Sequence, residues 1–398
     1  MDFDVIVAGG GLPGASVASA LAESGLKLAL IERNPPALPG TEWDRRVFAL
    51  TPASLAFLHA VGAWDRIDTE RVAPIYEMRV FGDDGHSHLD FSAYESGIQK
   101  LAASVESSRL QHALWQGLER QRNLSLLCPA APLYLNVRED RVEIGLDNGS
   151  VVSAKLVVGA DGADSWVRRT AGIQAEGGSY AQLGVVANFA CSRAHRNVAY
   201  QWFRRDGVLA YLPLPERGVS IVWSAPEAYA RDLLALPPAT FCRRVAEAGG
   251  EALGTLTPIT PPAAFPLNRL LVGRIAQSRI ALIGDAAHVV HPLAGQGVNL
   301  GLGDAHALAD LIRDASDPGD RMLLRRYERA RAEDILALRS VTDGLFRMFD
   351  SKHRVVSGIR NLGLNLANSN PVIKTLLARR AIGIGGGSTR REPSREPS

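Results

Sequence analysis

The chain has 398 residues, of which 46% are hydrophobic and 22% charged, and its formal net charge at neutral pH is +2. This length supports two or three domains with a substantial core. A charge so close to zero excludes a general nucleic-acid-binding protein, and the composition is that of an ordinary globular protein.

Cysteine usage and the N-terminal residues bear on where the protein resides. Cys128, Cys191 and Cys242 are far apart and lack metal-ligand spacing, which predicts no zinc site and no disulfide framework. The first four residues include two acidic ones, Asp2 and Asp4, where a signal peptide is basic, and no apolar run is long enough to span a bilayer. We therefore expect a cytoplasmic protein with at most a peripheral contact at the inner face of the membrane.

The first element is a nucleotide-binding βαβ pattern. A short apolar strand over residues 3–8 is followed by the spacing G-x-G-x-x-G, formed by Gly9, Gly11 and Gly14. A helix from about 13 to 24 and a strand over 26–31 follow, and Glu32 stands at the end of that strand. The glycines allow a tight turn and close approach to a pyrophosphate, and the carboxylate reaches ribose hydroxyls.

Several arginines near this pattern are candidate cofactor contacts. Arg33 follows Glu32, and Arg45 and Arg46 form a pair that contacts either a phosphate or flavin edge or only solvent. Arg109 begins the apolar face of a helical run over 106–120, where an exposed helix arginine is the alternative.

The middle of the chain has a different texture. Short strands are predicted at 77–81, 86–91, 124–127, 134–137 and 142–146, and alternating apolar and polar strands at 183–190, 198–203, 208–214 and 219–224. Helices are expected at about 226–236 and 240–247. This pattern predicts an inserted antiparallel substrate-binding layer. The candidate pocket residues, for which ordinary sheet core is the alternative, are Tyr211, Pro213, Trp223 and Phe265.

Two further buried strands each end in an acidic residue. The run 156–159 leads to Asp161-Gly162 and a short helix. The stretch 282–304 reads as a strand, Asp285, a Gly/Pro loop and a helix after Gly297, whose free N–H groups and dipole suit an electron-rich ring. A flavin nucleotide fits both the carboxylate and the helix end. His288 and His291 in this loop are expected to have structural hydrogen-bonding roles.

The C-terminal quarter is helical in pattern. A long charged run covers 322–349, and amphipathic runs with basic residues cover 355–366 and 371–382. The latter are interpreted either as helices packed on the body or as a face for an anionic membrane or a protein partner. The Gly-, Arg- and Pro-rich end is expected to be disordered.

Taken together, three separated motifs of glycine and acidic residues, here called the three corners, carry a family resemblance. They are Gly9-x-Gly11-x-x-Gly14 with Glu32, Asp161-Gly162, and Gly284-Asp285. In order and spacing they resemble the FAD-dependent aromatic hydroxylases, the group that includes para-hydroxybenzoate hydroxylase. The string His291-Pro292-Leu293-Ala294-Gly295-Gln296-Gly297-x-Asn299-x-Gly301-x-x-Asp304 resembles the signature of the ubiquinone-biosynthesis hydroxylases within it. The resemblance spans residues 3–383.

The resemblance implies roles for individual residues around FAD. Gly9, Gly11 and Gly14 hold the pyrophosphate, and Glu32 the adenosine ribose. Arg46 lies near the flavin, Arg109 near the pyrophosphate or ribityl chain, and Asp285 at the ribityl hydroxyls. Asp161 supports the nucleotide and the loops around it. The flavin ring is cupped by Pro292, Gly295, Gln296, Gly297, Val298 and Asn299, the last three through backbone N–H groups. Spacing to Ala49-Leu50 favours Arg46 over Arg45.

The implied activity is that of an oxidoreductase, an NAD(P)H- and O2-dependent flavoprotein monooxygenase. NADPH or NADH reduces FAD, O2 gives a C4a-hydroperoxyflavin, and the ring of a polyprenylated phenol or quinone precursor of ubiquinone takes up the oxygen. The cofactor carries the chemistry, so no protein nucleophile or metal is required and no catalytic residue is assigned beyond the flavin loop 292–297. A hydrophobic aromatic substrate also gives the basic C-terminal helices a reason to contact a membrane or a biosynthetic complex.

Three alternatives remain open from the sequence. One is a hydroxylase of a small soluble phenol, with a closed pocket and a cationic anchor. The second is a non-catalytic flavoprotein subunit of a biosynthetic complex, and the third is a flavin reductase of isoprenoid double bonds.

The predicted architecture is α/β, with a Rossmann-like FAD-binding domain, an inserted β-rich substrate domain and a C-terminal helical region. The FAD-binding domain is assigned to 1–72, 98–175 and 272–330, the substrate domain to 73–97 and 176–271, the C-terminal helices to 331–383 and a disordered tail to 384–398.

Overall fold

A computed structural model describes residues 2–84, 86–291 and 296–350, with 339–350 described by their backbone alone. The predicted flavin-loop residues Pro292 and Gly295 lie outside the described residues. So do the amphipathic runs over 355–382 and the predicted tail.

The described chain is built from strands and helices that alternate along its length. The strands are β1 (Asp2–Ala8), β2 (Leu28–Ile31), β3 (Val47–Leu50), β4 (Ala73–Ile75), β5 (Glu77–Phe81), β6 (His88–Ser92), β7 (Ala102–Glu106), β8 (Leu124–Leu127), β9 (Pro132–Val137), β10 (Val142–Leu146), β11 (Val151–Gly159), β12 (Ala175–Cys191), β13 (Val198–Arg204), β14 (Gly207–Pro213), β15 (Gly218–Pro226), β16 (Leu256–Pro258), β17 (Ala263–Val272), β18 (Ala276–Gln277), β19 (Ile280–Leu282) and β20 (His288–Val289). The α-helices are α1 (Leu12–Ala20), α2 (Pro52–Ala60), α3 (Ser107–Leu118), α4 (Trp166–Thr170), α5 (Glu227–Ala235), α6 (Pro238–Ala248), α7 (Gly297–Ile312) and α8 (Arg321–Asp350). Single 3-10 turns lie at Trp64–Arg66, Thr69–Arg71 and Gly284–Ala286.

A mixed sheet, whose central strands are parallel, forms the centre of the first domain. The path β18-β19-β11-β1-β2-β8 runs through an eight-stranded sheet in which β1 pairs in parallel with both β2 and β11. Val5, Ile6 and Val7 have no solvent exposure, because β1 lies in the middle of the sheet and is covered on both faces. The predicted Rossmann-like layer is confirmed.

An antiparallel sheet forms the second layer. Its nine strands follow the path β20-β17-β12-β15-β14-β13-β5-β6, with β16 paired to β12. Apart from the two-residue β20, which follows β19 of the first sheet, these strands come from two separate stretches of chain, as the predicted insertion requires. Strand β4 joins β3 and β7 in a small three-stranded sheet instead. The predicted β-rich layer is therefore confirmed.

The two faces of the antiparallel sheet have different surroundings. The helix-covered face packs against α5 and α6 and carries Val185, Phe189, Leu209, Ile221 and Trp223 among its core residues. The opposite side, here called the inner face, turns toward the first domain, since the side-chain amide of Asn188 donates to the backbone oxygen of Asp44 at 2.8 Å. The alternation of side chains along each strand decides which residues take which face.

This alternation corrects the predicted pocket. Tyr211 and Trp223 are 1% and 0% exposed and belong to the helix-covered core, where the Tyr211 hydroxyl donates to the Val245 backbone oxygen at 2.7 Å. Pro213, two residues beyond Tyr211 on the same strand, is buried on the same side. Of the four candidates, Phe265 alone lies on the inner face, paired with Gly184.

Helix α8 crosses a predicted domain boundary. It runs unbroken from Arg321 to Asp350 through the expected boundary at residue 330. Leu324, Tyr327 and Ile335 are spaced along one side of this helix and are buried in the core of the first domain. The first part of the predicted C-terminal region is therefore packed on the FAD-binding domain. No helix in the described ranges has both the length and the apolar character needed to cross a bilayer.

Candidate functional site

The first corner of the site is a glycine turn between β1 and α1. Gly9 has φ +104°, and a Cβ there would lie 2.4 Å from the Ala160 backbone oxygen. A Cβ on Gly14 would lie 2.0 Å from the oxygen of Gly9, so this glycine lets helix and strand touch. At Gly11 a Cβ would meet no atom within 4 Å. The turn thus packs through two of its glycines and leaves the third facing open space at the helix N-terminus, where a pyrophosphate fits.

Glu32 is fixed beside this turn. Its carboxylate accepts the N–H of Gly10 at 2.7 Å and that of Asn34 at 3.1 Å. The backbone oxygen of Gly10 accepts from Trp115 Nε1 at 2.8 Å and from the Gln111 amide. Periodicity placed these two residues on a helix but gave no sign that α3 would reach the glycine turn. Arg33 is exposed next to Glu32.

Asp161 forms the second corner. One carboxylate oxygen accepts the N–H of Val167 at 2.9 Å and caps α4, while the other is buried without a hydrogen-bond partner among the described residues. The neighbouring Arg168 donates to the Ala286 backbone oxygen at 2.9 Å. Asp161 therefore keeps one free acceptor beside Gly9, and Arg168 joins this corner to the third.

The third corner packs directly on the first. Gly284 has φ +58°, and a Cβ there would lie 2.8 Å from Pro13 Cγ. A Cβ on Gly301 of α7 would lie 3.0 Å from the same atom. The three corners that the sequence separates by more than a hundred residues each are thus brought together around the N-termini of α1 and α7.

Asp285 projects into the cleft between these corners. Its side chain is exposed to solvent yet closely surrounded by protein, as expected for a group that lines a recess. Burial raises the pKa of Asp285 above its ordinary value, and Arg46 and His288 partly oppose this shift. This charge effect puts Arg46 on the Asp285 side of the cleft, where its guanidinium lies 5.3 Å from the Phe48 ring centroid.

The N-terminus of α7 faces the same cleft. No acidic residue lies in its first turn, and a Cβ on Gly297 would meet no atom within 4 Å. Free N–H groups at such a helix end attract an anionic or electron-rich ligand. The Asn299 side chain points elsewhere, since it accepts the Thr51 N–H at 2.9 Å and donates to the Ala49 oxygen at 2.9 Å. It fixes β3 against α7.

Arg109 is engaged at the edge of the site. It donates to Glu106 at 2.8 Å and to the Gly40 backbone oxygen at 3.2 Å. Glu106, 1% exposed, also accepts from Arg71 at 2.9 Å. The sequence gave no signal for Glu106 beyond its place at a helix start, yet it organises both arginines around the loop at residue 40.

Both loop histidines have hydrogen-bonding partners within the protein, as predicted. His288 Nε2 lies 2.6 Å from Asp304, and His291 Nε2 lies 3.0 Å from Gln182 Oε1. Within the ranges that the structure describes, no group of three His, Cys, Asp or Glu residues is placed to hold a metal ion.

The residues present suit FAD in its parts. The open space at Gly11 admits a pyrophosphate, the spare acceptors of Asp161 and Asp285 suit hydroxyl groups, and the start of α7 suits the flavin ring. A Rossmann-like layer with a second, antiparallel layer over such a cleft defines an FAD-dependent monooxygenase of the aromatic-hydroxylase fold.

Comparison with known proteins agrees. Residues 2–339 match the family described as FAD binding domain, and the chain belongs to this family of flavoprotein monooxygenases. It is 34% identical to the 3-demethoxyubiquinol 3-hydroxylase of Escherichia coli over 387 residues. This alignment covers 96% of the present chain and 98% of that protein. It is 36% identical over 386 residues to the ubiquinone hydroxylase UbiL of Rhodospirillum rubrum, covering 96% and 89%. The fold is similar to PqsL of Pseudomonas aeruginosa, with a TM-score of 0.77, 24% identity and coverage of 92% and 99%.

The glycine turn yields a matched pair of variants. Gly14→Ala puts a Cβ 2.0 Å from backbone, so we expect it to lower the stability of the FAD-free protein by about 3 kcal/mol and to lose FAD. Gly11→Ala meets no protein atom, so the FAD-free protein should keep its melting temperature while the Kd for FAD rises at least about tenfold. Thermal unfolding and flavin fluorescence titration measure both, and equal loss of stability in the two variants would contradict the assignment.

Asp285 yields a pH-dependent prediction. Because its pKa is raised on folding, the ionised carboxylate costs stability at neutral pH, and this cost disappears as the pH falls below the ordinary value of 3.8. The FAD-free Asp285→Asn variant should therefore melt higher than the native protein at pH 7, with a gap that closes toward pH 4. Its affinity for FAD should fall. Asp164→Asn, at an exposed carboxylate, is the control, and a gap independent of pH would refute the prediction.

Proposed function

We propose that this protein hydroxylates the ring of a neutral, polyprenylated phenol or quinol on the route to ubiquinone, with NADPH or NADH as electron donor and O2 as co-substrate. Two relatives, which are 34% and 36% identical to this chain over the aligned residues, are named for ubiquinone hydroxylation. The observation that carries the proposal beyond those names is the absence of cationic side chains from the central strands of the inner face of the antiparallel sheet, within the described residues.

The inner face is apolar across its central strands. Strand pairing puts Val186, Ala210 and Val222 side by side, with Leu212 and Ala199 in the next row. In the described strands β5, β13, β14 and β15 and in residues 184–190 of β12, no Lys, Arg or His occupies an inner-face position. An aromatic carboxylate needs a cationic partner when buried, so this surface favours an uncharged ring over a soluble aromatic acid.

The polar atoms on this face are neutral. Asn188 Oδ1, Ser220 Oγ and Gln201 Oε1 are all buried without a hydrogen-bond partner among the described residues. Asn188 and Ser220 are directly paired across β12 and β15. Two of these atoms are carbonyl acceptors, which suit the hydroxyl donors of a phenol or quinol.

The protein's own contribution is placement and electrostatics. FAD, when bound, supplies the redox chemistry with O2. With FAD bound, the start of α7 would stabilise negative charge on the flavin ring, and Asp285 and Asp161 would hold hydroxyl groups of the nucleotide. The inner face covers the cleft with apolar side chains, which exclude water from the reaction.

The proposal is tested with the purified FAD-loaded protein. A short-chain prenylated methoxyphenol in micelles should stimulate NAD(P)H oxidation and gain one 18O atom from 18O2, whereas 4-hydroxybenzoate should do neither.

Gln201→Leu should lower kcat/KM at least about tenfold with FAD retained, since it removes an inner-face acceptor. The control is Tyr200→Phe, because Tyr200 is adjacent to Gln201 in the strand and lies on the helix-covered face. Turnover of 4-hydroxybenzoate alone would indicate a soluble-phenol hydroxylase, and no oxygen incorporation would indicate a scaffold or a reductase.

We further propose a peripheral contact with the inner face of the membrane or with a biosynthetic complex. The support is the sequence of 354–380, where Arg354, Arg360, Lys374, Arg379 and Arg380 lie among Leu, Ile and Val, together with the apolar substrate proposed above. Truncation after Ala367 should reduce sedimentation with liposomes containing anionic lipid while FAD stays bound. Unchanged sedimentation would refute the membrane contact.

A further inference from the structure

A buried ion pair connects α8 to the third corner of the site. Asp304 of α7 has no solvent exposure, and one of its oxygens accepts Arg331 Nε of α8 at 2.7 Å. The other oxygen accepts the Gly284 N–H at 2.9 Å and lies 2.6 Å from His288 Nε2. Gly284 and His288 stand on either side of Asp285, so a single carboxylate fixes both ends of the turn that carries it.

The buried charges of Asp304 and Arg331 compensate each other. Burial alone would raise the pKa of Asp304, but His288 and Arg331 together hold it below its ordinary value. Burial alone would lower the pKa of Arg331, but Asp304 and Asp334 raise it. Both partners are therefore ionised at neutral pH, and removing one leaves an uncompensated buried charge.

Helix α8 is docked on the same corner by further contacts. The Tyr327 hydroxyl donates to the Leu282 backbone oxygen at 2.9 Å, two residues before Gly284. Arg331 Nη2 also lies 3.4 Å from the Leu300 oxygen, in the first turn of α7. A Cβ on Gly303 would lie 3.0 Å from that same nitrogen, so the glycine gives the guanidinium its room.

We propose that Arg331 is a positioning residue for FAD: through Asp304 it holds the Gly284–His288 turn, so that docking of α8 and binding of FAD strengthen each other. Coupling of this kind is reciprocal, because a change in one binding equilibrium shifts the other by the same factor. The proposal concerns the cofactor site and stands independently of the substrate proposed above.

The first test uses the unmodified protein. Hydrogen exchange of peptides covering 321–338 is followed by mass spectrometry with and without saturating FAD. We expect FAD to slow exchange at least about threefold both in these peptides and at the Asp285 turn. Unchanged exchange in α8, with slowed exchange at the turn, would overturn the proposal.

The second test compares two arginines of one helix. Arg331→Met should raise the Kd for FAD at least about tenfold and shift the visible absorption band of the flavin that remains bound, because the Asp285 turn relaxes. Arg331→Lys should recover part of the affinity. Arg329→Met, at an exposed position two residues away, should leave the Kd within about twofold. An Arg331→Met protein that is less stable but keeps its Kd and flavin spectrum has lost only structural support, and the proposal fails.

If Arg331→Met does not fold, Tyr327→Phe takes its place, since it removes one hydroxyl contact to Leu282. It should raise the Kd for FAD about threefold and reduce the protection of 321–338 that FAD confers. Native affinity and native protection in this variant would count against the coupling as directly as the failures above.

Discussion

The site depends on the close packing of two glycines, Gly284 and Gly301, against the ring of Pro13. Gly284 and Gly301 both approach this ring so nearly that a single methyl group on either would push the elements apart. Since α1 begins at the glycine turn and α7 begins beyond the Asp285 turn, the contact fixes the spacing between the N-termini of these two helices. A dinucleotide of fixed length requires a fixed spacing between these helix ends. Only glycine, which has no side chain beyond hydrogen, allows an approach this close.

The antiparallel sheet divides two tasks between its faces. On the helix-covered face Tyr211, Trp223 and their neighbours fill a core against α5 and α6. On the inner face the side chains are small or apolar, with a few neutral acceptors left unpaired. Stability and recognition can therefore vary separately, because a change on one face leaves the packing of the other in place.

Much of the fold was predictable because it is encoded locally. Glycine spacing, apolar runs and strand-end acids predicted the βαβ unit, the three corners and the inserted sheet, and the resemblance to FAD-dependent hydroxylases was correct. Tyr211 and Trp223 were assigned to a pocket because aromatic residues in a strand carry no mark of which face is covered. The contacts of Glu106 with Arg71, of Gln111 with Gly10 and of Arg331 with Asp304 were not foreseen, because these partners are far apart in the chain and periodicity reports only on neighbours.

Asn299 joins the start of α7 to strand β3 and the residue that follows it. Its amide holds both Ala49 and Thr51, and Ala49 packs against the same small hydrophobic cluster as Leu212 of the inner face. A displacement of the start of α7 is therefore transmitted to β3 and, through that cluster, to one edge of the antiparallel sheet.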